Sequence, residues 1–314
     1  EGIWFVNRSV EDQDCGQRYN LVGSMEIGAW LDVENFAEAI NKTVDCCRGL
    51  RAEIYEDDYR PYQRTVDELT IDLTCEDRSG ESAEDVRRSF EDEEMRRRYV
   101  LEKAPLFNFR LGRAEEGIYV FTMGIHHILV DAYSVNLILR KIKEIYFDLE
   151  EGRNREYAED VSFQDFASWQ TDAYRDGLFD GDIDYWKEKL AGELTRIELS
   201  ETELSTWDHF EGGVCDLPLD ADELSRLKEL CSNMEMTVFA GLTTIYYMFL
   251  AWLCGADDIC LGSASSGRVR SEIRSTVGNF ANVLLLRTTV RPDDSFSSLA
   301  RRVKETMDGA YAHQ

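Results

Sequence analysis

Two adjacent histidines stand in the string Ile125-His126-His127-Ile128-Leu129-Val130-Asp131-Ala132-Tyr133-Ser134, in a chain of 314 residues that holds only four histidines. An imidazole titrates near neutrality, so either ring is equipped to take or give a proton. Asp131, four residues beyond His127, invites a dyad reading in which a carboxylate steadies the ring. The competing reading is packing, because a histidine at a strand end is often a hydrogen-bonded core residue. For His126 the packed role is the one expected. The eight cysteines show no CxxC pair, and Cys254 and Cys260 flank or enter apolar segments, so they read as reduced thiols, mostly core.

The elements that must position these residues follow from apolar periodicity. Tyr19 to Ile27 reads as a strand, and Glu34 to Cys47 as a helix with Asp32 near its start. Phe107 to Gly112 and Ile118 to Met123 alternate around Glu115-Glu116-Gly117, which predicts a hairpin whose second strand ends at the histidines. A helical pattern runs from Val135 to about Leu149, and amphipathic segments follow at Phe163 to Trp169 and Ile183 to Leu190. A lobe boundary is placed near Asp176, giving lobes 1–175 and 176–314. The second lobe should hold a helix at Ala221 to Cys231, a charge-free helix at Met236 to Ala256, strands at Asp258 to Gly262 and Ala281 to Val290, and a last helix from Ser295.

Composition narrows the function classes. The 43% hydrophobic content supports a large core, and only four prolines and no Gly/Ser tract mark linkers. A formal charge of −27, from 62 acidic against 35 basic residues, would repel a phosphate backbone, so nucleic acid is excluded as a partner. Arg268 and Arg287 sit among small or apolar residues, where a guanidinium could pair internally. The charge-free stretch approaches a bilayer span in length, but Thr237, Thr243, Thr244, Tyr246 and Tyr247 within it favour a buried helix crossing a domain core. No membrane partner and a cytoplasmic location are expected. No signal peptide opens the chain, and its abrupt start suggests a few residues missing upstream.

The histidine string resembles the HHxxxDG signature of nonribosomal peptide synthetase condensation domains, with Ala132 in place of the glycine. Further stretches match that family in order: Gln17 to Asn20, Ala104-Pro105-Leu106-Phe107, Phe163 to Trp169, and Tyr185-Trp186-Lys187-Glu188-Lys189-Leu190. Later, Asp258 to Gly262 runs into Gly267-Arg268, and Val277-Gly278-Asn279-Phe280-Ala281-Asn282-Val283 runs on to Arg287. The family's RHExLRT stretch is altered to Cys46-Cys47-Arg48-Gly49-Leu50-Arg51-Ala52, which puts substrate positioning there in question. The resemblance implies an α/β fold of two chloramphenicol-acetyltransferase-like lobes, each a mixed sheet with packed helices, in a V around a tunnel. It also implies a C-terminally incomplete domain, short by roughly a quarter to a third.

What the resemblance implies for function is amide formation between an upstream acyl or peptidyl thioester and the amine of a downstream aminoacyl thioester. Both arrive on phosphopantetheine arms of carrier domains, which are generally acidic in this family, and neighbouring synthetase domains are the other partners. No metal and no directly bound cofactor is expected. The carry-over makes His127 catalytic, with His126, Asp131, Ser134, Asn282 and Arg287 in supporting roles. Asp131 is expected to turn away from His127 and pair with an arginine, Arg287 being the candidate and Arg51 the next. Ser134 would be a residue near the helix start, and Asn282 a backbone organiser between the lobes. Intact histidines speak against a heterocyclising subtype, and Gly262 to Arg268 lacks the acidic, histidine-containing string of an epimerising one. The alternatives are a coenzyme A-dependent acyltransferase of the same superfamily, which the late motifs disfavour, and a noncatalytic condensation-like recruitment domain, to which Ala132 and the altered Cys46 to Ala52 stretch give some weight and against which the intact His127 weighs.

Overall fold

The computed structural model of the chain describes residues 2–9, 18–153, 155–197, 215 and 218–314. Gln17 and Cys15 therefore lie outside the described residues. Contacts divide the chain into two compact units, Glu1–Ala173 with Ser266–Ala281, and Tyr174–Ser265 with Asn282–Gln314. The expected boundary near Asp176 left Ser266–Ala281 in the second lobe. By contacts this stretch belongs to the first unit, because its arginine and backbone amides are consumed there.

The first unit is built on a four-stranded mixed sheet. Strand β6 (Tyr119–His126) runs antiparallel to both β1 (Asn20–Ile27) and β5 (Phe107–Arg113), and β4 (Cys75–Asp77) adds parallel to β5, in the order β1-β6-β5-β4. A separate ribbon pairs β2 (Ala52–Asp57) with β3 (Arg60–Thr65). The unit's described α-helices are α1 (Gly2–Ser9), α2 (Val33–Cys46), α3 (Ala83–Met95), α4 (Ala132–Glu150) and α5 (Phe163–Arg175), the last of these running past Ala173.

Strand β6 lies between β1 and β5 and is buried along nearly its whole length. Successive side chains alternate between faces. Phe121, Met123 and Ile125 join the large core with Phe36 and Ile40 of α2 and Ile138, Ile142 and Ile145 of α4. Val120 faces Val86 and Phe90 of α3. At Gly124 a Cβ would stand 2.7 Å from the Glu94 carboxylate, so the fully buried acid of α3 requires glycine on the strand it crosses. The same alternation sends His126 to the α3 side, where Tyr99 meets it edge-on. His127, the first residue of the turn after β6, is released from the sheet.

Helix α4 begins where sequence allows it to. The Asp131 carboxylate accepts the backbone N–H of Ser134, and a cap of this kind stabilises a helix by about 1 kcal/mol. Its buried residues Ile138, Ile142, Ile145 and Tyr146 recur at helical spacing and pack on α2, which Asp32 caps in the same way.

In the second unit, α6 (Asp180–Lys189), α7 (Ala221–Asn233), α8 (Val238–Cys254) and α9 (Phe296–Ala312) accompany β7 (Asp258–Ser265) and β8 (Asn282–Thr289). The mixed sheet expected of each lobe is present in the first unit, whereas the described strands here form one antiparallel pair. Their inward residues Ile259, Leu284 and Leu286 pack with Tyr247 and Leu250 of α8 and Leu299, Val303 and Met307 of α9.

Helix α8 departs from the expectation of all-round burial. Ala240, Thr244, Tyr247 and Leu250 face the core, while Phe239, Ile245, Phe249 and Trp252 are exposed, Trp252 by 79%. The inward face mixes small residues with Tyr247 and Leu250, and further bulky apolar side chains are left outside. Among the described residues no single helix is long and apolar enough to cross a membrane.

Candidate active site

The His127 backbone is held on both sides. Its N–H donates to the Tyr19 carbonyl at 2.7 Å, and its carbonyl accepts the side-chain amide of Asn279 at 2.8 Å. The Asn279 nitrogen also lies 3.4 Å from His127 Nδ1. The ring is half-buried. With its main chain fixed by these two bonds, the imidazole projects from a defined point rather than from a free loop.

His126 has the opposite character. It is 1% exposed, its Nδ1 accepts the Ile128 N–H at 3.2 Å, and its Nε2 stands 3.5 Å from the Asn7 side-chain amide nitrogen. Burial, with His127 beside it, lowers this imidazole from its ordinary 6.5 to about 4. It is therefore a packed, neutral ring at neutral pH.

Asp131 does not serve His127. One carboxylate oxygen accepts the Ser134 N–H at 2.7 Å and the other the Phe280 N–H at 3.0 Å. Both also face the Arg268 guanidinium, at 3.2 and 3.4 Å. The pairing expected with Arg287 is corrected: the partner is Arg268. Arg51 is not it either, for its guanidinium binds the carbonyls of Asp45, Val66 and Asp67 and the Glu159 carboxylate. Arg287 forms a fork on Asp258 in the second unit, with 2.6 Å from Nη2 to Oδ2, and donates to the carbonyls of Ala191 and Glu193. Strand alternation explains this, since Leu284, Leu286 and Thr288 point inward on β8 and Arg287 points the other way.

Arg268 organises the whole turn. One of its nitrogens donates to the carbonyls of Ile273 and Thr276, both at 2.8 Å, and the other reaches Ser134 Oγ at 2.7 Å as well as Asp131. The guanidinium packs over the rings of Phe280 at 4.2 Å and Tyr133 at 4.7 Å. Gly267 makes this placement possible. Its φ is +62°, and a Cβ there would stand 2.0 Å from the Phe280 carbonyl.

Ser134 does more than start a helix. Its Oγ donates to the Gly278 carbonyl at 2.7 Å and accepts the Gly278 N–H at 3.1 Å. Asn282 shows only a local bond, its side chain accepting the N–H of Val283. Asn279, within the Val277 to Val283 string, is the asparagine that touches His127. Ala132 is the first residue of α4 in right-handed helical conformation, where alanine is more favourable than the glycine it replaces.

The altered Cys46 to Ala52 stretch is structural in what it touches. Gly49 lies against the Val277 carbonyl, which a Cβ would approach to 2.4 Å, and Asp160 bridges the N–H groups of Arg48 and Val277. Burial pushes the thiols of Cys46 and Cys47 up, so neither is a ready nucleophile. The seven described cysteines are all free thiols.

Comparison with known proteins adds a family. A family model described as the condensation domain matches residues 1–314. Surfactin synthase subunit 1 of Bacillus subtilis is 29% identical over 305 residues, 96% of this chain and 8% of that protein. Tyrocidine synthase 2 of Brevibacillus parabrevis is 27% identical over 304 residues, 96% of this chain and 8% of that protein. The chain thus spans less than a tenth of the length of these curated relatives. Among solved structures, the first condensation domain of the CDA synthetase superposes with a TM-score of 0.83 at 22% identity, covering 99% of this chain and 74% of that one.

Proposed function

The chain belongs to the condensation-domain family, and from that premise we propose that it joins two carrier-bound acyl groups through an amide bond. The amine nitrogen of a downstream aminoacyl thioester bonds to the carbonyl carbon of an upstream acyl or peptidyl thioester. The C–S bond breaks, the upstream phosphopantetheine arm leaves as its thiol, and the proton lost by nitrogen balances that thiolate. The partners are the donor and acceptor carrier domains and the neighbouring synthetase domains.

His127 is the catalytic residue in this reading. What supports it is the contrast within the pair: His126 is sealed into packing, while His127 is anchored through its backbone and leaves its ring half-buried beside a fixed turn. Such a ring can take the amine proton or hold the charged intermediate, and positioned proton transfer is typically worth about 10²- to 10⁴-fold in rate. Asp131, Arg268 and Ser134 act on the turn that carries the ring rather than on the ring.

The test is product formation with donor and acceptor carrier proteins loaded with defined aminoacyl groups. Amide product that depends on His127 supports the proposal. Undiminished product from His127→Ala would remove His127 from the chemistry, and no product from the wild type would leave the noncatalytic recruitment reading in its place.

A further inference from the structure

Asn279 touches His127 at two points with one nitrogen. Its amide nitrogen stands 2.8 Å from the His127 carbonyl oxygen and 3.4 Å from ring Nδ1. The orientation of an asparagine amide is ordinarily a matter of choice between two flips. Here the carbonyl decides it, because a carbonyl oxygen only accepts, and the group facing it must be the NH₂. The nitrogen that donates to the backbone therefore also presents N–H to Nδ1. A protonated Nδ1 would set one donor against another, whereas an unprotonated Nδ1 offers its lone pair.

Resting on the reading of His127 as the reacting histidine, we propose that Asn279 is a positioning residue that holds the neutral ring in the tautomer protonated on Nε2. Nδ1 is then turned inward as an acceptor, and Nε2 is the nitrogen left to meet substrate, as a hydrogen-bond donor. A donor at that position suits the carbonyl oxygen of the thioester under attack, on which negative charge develops. His126 stands next in the chain, and its Nδ1 is engaged by the Ile128 N–H, so it does not compete for the Asn279 amide. The carboxylate of Asp131 is likewise occupied by Arg268 and two backbone N–H groups, which leaves the tautomer to Asn279.

The experiment is ¹⁵N NMR of the histidine rings in the labelled chain, without substrate, at a pH where the rings are neutral. His127 signals are assigned by their loss in His127→Gln. The expected wild-type pattern is an unprotonated Nδ1 and a protonated Nε2, and the reverse pattern in the wild type would overturn the proposal without any variant. Asn279→Asp places an acceptor where the donor stood and should move the tautomer ratio toward protonated Nδ1 by about five-fold or more, the size of one hydrogen bond. An unchanged ratio in that variant, with His126 signals unshifted as a check on folding, also overturns it. Because no amide formation is measured, failure here is separate from failure of the proposed reaction.

Discussion

Substituting His127 by alanine removes the ring but leaves both backbone anchors, the N–H to Tyr19 and the carbonyl to Asn279, in place. His127→Ala should therefore keep wild-type circular dichroism and urea midpoint while amide formation falls about 10²- to 10⁴-fold. Asp131→Asn acts on the other side of the same turn and should do the reverse, reducing stability first. It strands a guanidinium that is 2% exposed, and breaking a buried pair from one side is worth about 3 to 5 kcal/mol. Urea midpoints for Asp131→Asn, Arg268→Gln and the double variant check this, the double variant losing much less than the sum. Additive losses would mean that the two groups are stabilised separately. His126 brings a pH dependence of its own. Its folded value of about 4 lies below the ordinary 6.5, so the unfolded chain takes up the proton first as pH falls. Stability from this group is complete above about pH 6.5 and is lost progressively down to about pH 4, by at most about 3 kcal/mol. Urea midpoints of the wild type should accordingly fall more steeply over that range than those of His126→Asn.

At the scale of elements, the strand and helix pattern was largely readable, and the reasons are visible in particular residues. Asp32, Asp131 and Ser295 are side-chain caps at helix starts, and the alternation in β5 and β6 follows a sheet covered on both faces. The long-range partner of Asp131 was not readable in the same way. Leu284-Leu285-Leu286 looks like a continuous apolar environment for Arg287, yet only alternate residues of β8 face the core. Gly267-Arg268 carried the better signal, since a glycine that must accept positive φ beside an arginine marks a backbone bent to aim a side chain. Helix α8 misled for a related reason: without polar residues on one side, periodicity cannot tell a half-exposed helix from a buried one. Gly267→Ala tests the aiming role. A left-handed residue with a Cβ is unfavourable by about 1 to 2 kcal/mol before any clash with the Phe280 carbonyl. The variant should unfold at lower urea and lose amide formation in parallel.

For the molecule as a whole, a formal charge of −27 sets how partners can approach. An acidic carrier domain, as the family implies, would meet net repulsion at long range, so docking must rest on local apolar or arginine-bearing contacts. Carrier affinity should then change little, or rise, as salt is raised from low to moderate concentration, because screening removes repulsion first. A steep loss of affinity over that range, measured by titration calorimetry, would instead point to long-range attraction by a basic patch.

The join between Asp131 and Arg268 spans 137 positions of chain, and that separation has a consequence in time. A ribosome adds about 5 to 20 residues each second, so the carboxylate is made on the order of 10 s before its cation. In that interval all of Tyr174–Ser265 emerges, although it packs in the other unit. The histidine turn is thus made well before the last segment of its unit and is among the last parts to be locked. Nascent chains halted before Ser266 should be cut by protease near Asp131 far faster than chains halted beyond Ala281, once both have cleared the ribosome.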